Sequence, residues 1–304
     1  MSGPSTPDAL CLGAGVPTAP SFTPPPGACD CHLHVLGPFS RFALATPRPY
    51  TPPEATYDDL QAMLSAMGLS RAVVAHVSAH GDDLSVTLDA LTRMGDRARG
   101  TAIAPLSITR ERLEALHAAG IRGIRLSSAY GSLTPIDESH LRQWADRIAP
   151  LGWHIAMWPS SLAELRLLHR LAPHLPVPLV FDHLASHAWL EAGRIVPEGL
   201  DLLRALLESG GAWLKLSGMY RAAAHGTQWE TLVAPMRELM VRWPSRMLWA
   251  SDWPFVGLYD PVMRPHSGAL LDWLIELGAD VALREKILVR NPEALYGFPA
   301  WPAD

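Results

Sequence analysis

Eight short apolar runs, each followed by a stretch with helical spacing, constrain this 304-residue chain more than any other feature. The runs are Cys29–Val35, Arg71–Val77, Gly100–Leu106, Gly123–Leu126, Trp153–Trp158, Pro178–Leu184, Ala212–Ser217 and Arg246–Ser251. Between them lie helical patterns: Leu141, Trp144 and Ile148 at i, i+3, i+7, and Leu162, Leu165 and Leu168 behind a Ser161…Glu164 capping box. Trp229, Leu232, Val233, Met236, Leu239 and Met240 make a third, in which Pro235 is expected to break or kink the helix. Eight strand–helix pairs over about 250 residues predict a (β/α)8 barrel, a TIM-type α/β fold. A doubly wound open sheet is the alternative, but it would carry a Gly-rich phosphate turn after its first strand. Here that position reads His-Leu-His-Val-Leu-Gly-Pro.

The barrel is expected as a single domain over residues 28–299, with a short C-terminal tail at 300–304. Residues 1–27 hold 7 of the 28 prolines and show no hydrophobic period, so they read as a flexible or extended arm. The connection Leu36–Asp58 is too long for an ordinary βα loop and is expected to fold over the barrel mouth. A net charge of -5 gives no reason to expect nucleic acid or an anionic membrane as partner. No segment approaches the roughly 20 apolar residues of a membrane span. Cys11, Cys29 and Cys31, an odd number without a Cys-x-x-Cys spacing, argue against a disulfide framework or a zinc ribbon. The first basic residue is Arg41, so a secretory n-region is missing and a cytoplasmic location is expected.

Barrel chemistry collects at the C-terminal ends of the strands. The first run ends in His32-Leu33-His34, whose i, i+2 spacing aims both imidazoles into one space. The second offers His76, Ser78 and His80, the fourth Arg125, the fifth Trp158, the sixth Asp182-His183. The seventh runs through Lys215 to Ser217 and on to Arg221, and the eighth ends Ser251-Asp252-Trp253-Pro254. His76 reads equally well as a core histidine, and His80, His117, His140, His169, His174, His187, His225 and His266 as loop or surface residues. Lys215 lies short of its strand end and reads as a paired interior lysine. Three histidines and a carboxylate, His32, His34, His183 and Asp252, thus converge, and such a set can polarise a carbonyl or hold one zinc ion.

The order resembles the amidohydrolase superfamily, and more closely its branch of 2-pyrone-4,6-dicarboxylate hydrolase and related sugar-acid lactonases. The matching stretches are Asp30-Cys31-His32-Leu33-His34-Val35, Arg48–Pro52, Gly123-Ile124-Arg125, Phe181-Asp182-His183, Trp213–Gly218, Trp249–Pro254 and Arg290–Gly297. The resemblance implies a metal-independent hydrolase of a carboxylated lactone, with Asp252 activating water and His32, His34 and His183 polarising the carbonyl. It places Arg125 and Arg221 as carboxylate clamps and Tyr50 against substrate; Ser78, Tyr130 and Trp158 complete the candidate substrate contacts. Departures are Ser127–Tyr130, where pyrone hydrolases carry a second arginine, and Phe255 in place of a polar residue. A two-metal site would need a bridging lysine or glutamate on the fourth strand and a histidine ending the fifth; this chain has Arg125 and Trp158 there, with His154 at the far end. The alternatives are one zinc on His32, His34, His183 and Asp252, serving a lactonase or a decarboxylase, and a sugar-acid lactone isomerase. A catalytically silent barrel is a further reading, set against the intact polar set.

Overall fold

The computed structural model describes residues 9–126, 136–224 and 226–302. Its centre is a sheet of eight parallel strands in sequential order. They are β1 (Cys29–Leu33), β2 (Arg71–Ala75), β3 (Ala98–Ala102), β4 (Ile121–Leu126), β5 (His154–Met157), β6 (Leu179–Phe181), β7 (Ala212–Leu216) and β8 (Met247–Trp249). Where β1 ends and just beyond β8 two backbone bonds join the edges: Asp252 N–H to His32 O at 2.9 Å and His34 N–H to Trp253 O at 2.8 Å. The buried Asp30 carboxylate reinforces the same seam, accepting from Ser251 N at 3.1 Å, His32 N at 3.1 Å and the Ser251 hydroxyl. The architecture is the (β/α)8 barrel.

Every strand but β4, where Arg122 and Arg125 are half-buried, is buried along its whole length, which is why the runs read as largely apolar. Cys29, Cys31, Val73, Ala156, Val180, Trp213 and Leu248 pack together with Tyr296 and Phe298 in one interior cluster, while Leu33, Val74, Ile124, Phe181 and Leu214 join the core under the helices. Strand β3 begins and ends earlier than its sequence suggests. Arg99 hides the start, because its guanidinium lies over the Phe298 ring at 5.0 Å, and Ile103 and Ala104 are buried without being paired.

The helices follow their patterning. The helix Leu162–Leu171 starts with Ser161 accepting from Glu164 N, but Glu164 reaches back one residue further, to Ser160 N at 2.7 Å. The expected break at Pro235 does not occur: a single helix spans Trp229–Arg242, with buried Leu232, Met236, Leu239 and Met240 holding both halves to the core. No described helix is long and apolar enough to cross a membrane.

Residues 9–27 run extended along the barrel. Cys11 N and Leu12 N bond Thr51 O and Leu258 O at 2.8 Å each, so this stretch ties the loop after β1 to the loop after β8. Further on, Thr18 N bonds Ser267 Oγ at 2.9 Å and Ser21 N bonds Asp272 Oδ1 at 2.7 Å. A proline-rich segment has few backbone donors, and here those of Cys11, Leu12, Thr18 and Ser21 are taken by the barrel, so this part of the arm is extended rather than loose. The long loop after β1 closes on itself through paired Leu36 and Ala55, and its middle lies on the turn after β2, Ala45 N to Ala79 O at 2.8 Å.

Candidate active site

A register shift in β1 sets up the site. Asp30 pairs with Ala72 but Leu33 with Val74, so three steps on β1 oppose two on β2. Strict alternation would send Cys31 and His32 to opposite faces; the bulge lets Cys31 join the interior cluster while its neighbour His32 also turns inward. His32 Nδ1 then lies 3.1 Å from Asp182 Oδ1 and 3.1 Å from Lys215 Nζ. His34 Nδ1 is 2.7 Å from Ala75 O. A carbonyl only accepts, so Nδ1 carries the proton and a neutral His34 presents a bare Nε2.

His183 and Asp252 arrive on unusual backbone. His183, Leu184 and Ala185 have φ of 52°, 62° and 52°, and Asp252 has 64°. Such conformations cost of order 1–3 kcal/mol each for residues with a Cβ and collect at functional sites. Here the Ser217 hydroxyl holds the first turn, 3.2 Å from His183 N and 3.1 Å from its Nδ1. Gly218, at φ 69°, admits the close approach: a Cβ there would lie 2.6 Å from that of His183.

The four residues meet around one point. Asp252 Oδ1 is 3.5 Å from His34 Nε2 and 3.8 Å from His32 Nε2, and Oδ2 is 3.7 Å from His183 Nε2. Oδ2 is also gripped from the other side, by Tyr220 OH at 2.6 Å and Arg221 Nε at 2.7 Å. Oδ1 and His32 Nε2 are buried with no hydrogen-bond partner among the described residues. Burial opposes ionisation of Asp252, but Arg221 and the surrounding histidines together outweigh it and hold the carboxyl well below the usual carboxylate range. Burial pushes His183 down to about 3 and His32 well below the ordinary imidazole range, so both are neutral near pH 7.

With His34 neutral, the arrangement offers two acceptors, Asp252 Oδ1 and His34 Nε2, to the hydrogens of a water, beside the imidazoles of His32 and His183. The same atoms match a single divalent cation in kind: His32, His183 and Asp252 have donor atoms within 4.8 Å of one another. Two cationic side chains stand directly behind that set, Arg221 on Asp252 and Lys215 on His32.

The remaining candidates are distributed around this centre. Arg125 bonds Asp182 Oδ2 at 3.3 Å and His76 O at 3.4 Å, and Arg221 Nη2 bonds Val256 O at 2.9 Å. Trp158 sets its ring edge-on to His183, centroids 4.8 Å apart, with the Arg221 guanidinium 5.5 Å over it. Tyr50 is buried in the loop after β1 and Ser78 half-buried where the turn after β2 begins. Tyr130, like His225, lies outside the described residues. His76 is a satisfied core histidine, bonded to Thr87 Oγ1 at 2.9 Å and Gly81 O at 3.0 Å. His80, expected at the surface, is buried, because Nδ1 meets Ala43 O of the long loop at 3.0 Å. Sequence reasoning missed Tyr220 and Asp30; the one hint was their adjacency to Arg221 and to the His-x-His pair.

Comparison with known proteins identifies relatives of the whole barrel. The chain is 35% identical over 290 residues to a 4-sulfomuconolactone hydrolase of Rhizobium radiobacter, covering 94% of this chain and 96% of that protein. It is 33% identical to a 2-pyrone-4,6-dicarboxylate hydrolase of Comamonas testosteroni, covering 95% and 94%. The apo crystal structure of an Agrobacterium tumefaciens protein superposes with a TM-score of 0.79 at 25% identity, covering 93% of this chain and 98% of that one. A family model described as amidohydrolase matches residues 29–298, and the chain belongs to the amidohydrolase family.

Proposed function

We propose that this protein hydrolyses a carboxylated lactone without a metal ion, with Asp252 as the base on water. The observation that carries the reading is the division of labour on one carboxylate. Tyr220 and Arg221 occupy Oδ2, while Oδ1 is bare and shares its space with His34 Nε2. A water there would give one O–H to each acceptor as its oxygen attacks the lactone carbonyl. The proton passes to Asp252 Oδ1 and the carbonyl oxygen becomes an oxyanion, stabilised by imidazole N–H donors. Collapse breaks the ring C–O bond, and the proton on Asp252 returns to the departing oxygen, giving an open-chain acid.

Charge supports an anionic substrate. Arg125 and Lys215 ion-pair with Asp182 and Arg221 with Asp252, so three cationic side chains stand at the site. The relatives named for pyrone-dicarboxylate and sulfomuconolactone point to the same acidic lactones. A substrate carboxylate competing for Arg221 would also relieve the hold on Asp252 and raise its basicity on binding.

The donor set of His32, His183 and Asp252 favours a second reading, a mononuclear zinc enzyme. In it these residues and His34 would hold the ion, which would supply a Lewis acid and an activated water. The test is a panel of acidic lactones offered to chelator-treated protein. Unchanged turnover, with less than one equivalent of zinc by elemental analysis, is expected. Activity lost on chelation and restored by zinc would replace the first reading by the second.

A further inference from the structure

His32 Nδ1 belongs to a triangle of polar atoms that decides what its other nitrogen offers the site. Lys215 Nζ lies 3.1 Å from Nδ1 and 2.9 Å from Asp182 Oδ1, and Asp182 Oδ1 lies 3.1 Å from Nδ1. All three side chains are fully buried. An ammonium only donates, a carboxylate only accepts, and a neutral imidazole carries one N–H. So Nδ1 either accepts from Lys215, leaving the proton on Nε2, or donates to Asp182, leaving Nε2 bare.

Asp182 is already supplied with donors. Lys215 engages Oδ1, and Arg125 Nε engages Oδ2 at 3.3 Å. A proton on Nδ1 would compete for an occupied oxygen and lie against an ammonium. A lone pair on Nδ1 faces that ammonium instead, and away from water such a difference is amplified.

We propose that Lys215 is a positioning residue that holds His32 as its Nε2–H tautomer, so that Nε2 donates into the site and withholds its lone pair from a cation. His34, two residues away, is set the opposite way by Ala75 O. The His-x-His pair then supplies one donor for an oxyanion and one acceptor for a water. A metal bound at Nε2 of His32 would first require its proton to move to the side guarded by Lys215. The use made of this N–H rests on the lactonase reading; the tautomer itself does not.

The experiment is nitrogen NMR of protein labelled with ¹⁵N-histidine, near pH 7.5, with the His32 signals identified by their loss in His32→Gln. The wild type is expected to show Nε2 protonated and Nδ1 bare. Lys215→Met leaves Asp182 as the partner of Nδ1, and the proton is expected to move there. On the best lactone of the panel, kcat of this variant should fall about 10²-fold with KM nearly unchanged, the cost of losing one oxyanion donor. A wild-type spectrum with the proton on Nδ1 overturns the proposal, whether or not any variant folds. An unchanged tautomer in a folded Lys215→Met protein overturns the role of Lys215. If the wild type has the expected tautomer but opens no lactone, the lactonase reading fails and the tautomer assignment stands; an active enzyme with the other tautomer fails this proposal alone.

Discussion

At the scale of single residues, the two oxygens of Asp252 have different neighbours, and that difference is testable. Asp252→Asn keeps the shape and removes the proton acceptor, so turnover on the best lactone should fall of order 10²-fold or more with folding intact. Arg221→Met acts on the other oxygen. If Arg221 also clamps a substrate carboxylate, its loss removes a charge-assisted contact of roughly 1.5–3 kcal/mol, about 10- to 150-fold in kcat/KM for a diacid lactone. For a neutral lactone the loss should be a few-fold, since freeing Oδ2 makes Asp252 a stronger base. Steady-state kinetics on a matched charged and neutral pair decides it: equal losses on both would leave Arg221 as a holder of Asp252 and nothing more. Of this site, His32, His34, His183 and Asp252 were legible as residues at strand ends. Their mutual facing was not, because it depends on a bulge in β1 and on left-handed backbone at His183 and Asp252. No side-chain pattern encodes either in a residue with a Cβ.

At the scale of elements, the extended segment of residues 9–27 behaves as part of the barrel wall. Gly268, in the first turn of the helix Ser267–Glu276, has no room for a side chain: a Cβ would sit 2.1 Å from Ala19 O. Gly268→Ala should therefore push the segment off the helix and cost about 1–3 kcal/mol of stability, as overpacking does. Urea denaturation measures it. In a chain lacking residues 1–20 the same substitution should be nearly neutral, because the obstructing carbonyl is gone. Full cost in the shortened chain would show that the helix, not its contact with the segment, is what suffers. The order of strands and helices was readable from apolar runs alone. Helix Trp229–Arg242 runs through Pro235 without a break because one missing donor is outweighed by a buried face along its length.

At the scale of the whole molecule, neutral histidines locked in the interior make stability depend on pH. Burial pushes His76 and His154 down to about 3. Both protonate near 6.5 once unfolded. Between those values the unfolded chain binds more protons than the folded one, so stability is full above about pH 6.5 and is lost as pH falls toward 3. His154 has no partner for either ring nitrogen among the described residues, which makes an apolar replacement tolerable. His154→Leu should flatten the dependence of unfolding free energy on pH, measured in urea between pH 4 and 7, by about one proton. An unaltered slope would mean that His154 is not neutral in the folded barrel, or that other groups govern acid unfolding.

The amino-acid order determined the barrel and its strand-end histidines, because the information is local: apolar runs, helical spacing and His-x-His are each written within a few residues. Tertiary structure decided what those residues can do. His32 meets Asp182 and Lys215 across 150 and 183 positions of chain, and Asp252 meets Tyr220 and Arg221 across 32 and 31. Protonation state, tautomer and the choice of the bare carboxylate oxygen follow from those distant contacts and from exclusion of water around them. They are properties of closing the barrel, at the seam where β1 and β8 exchange backbone bonds through His32, His34, Asp252 and Trp253.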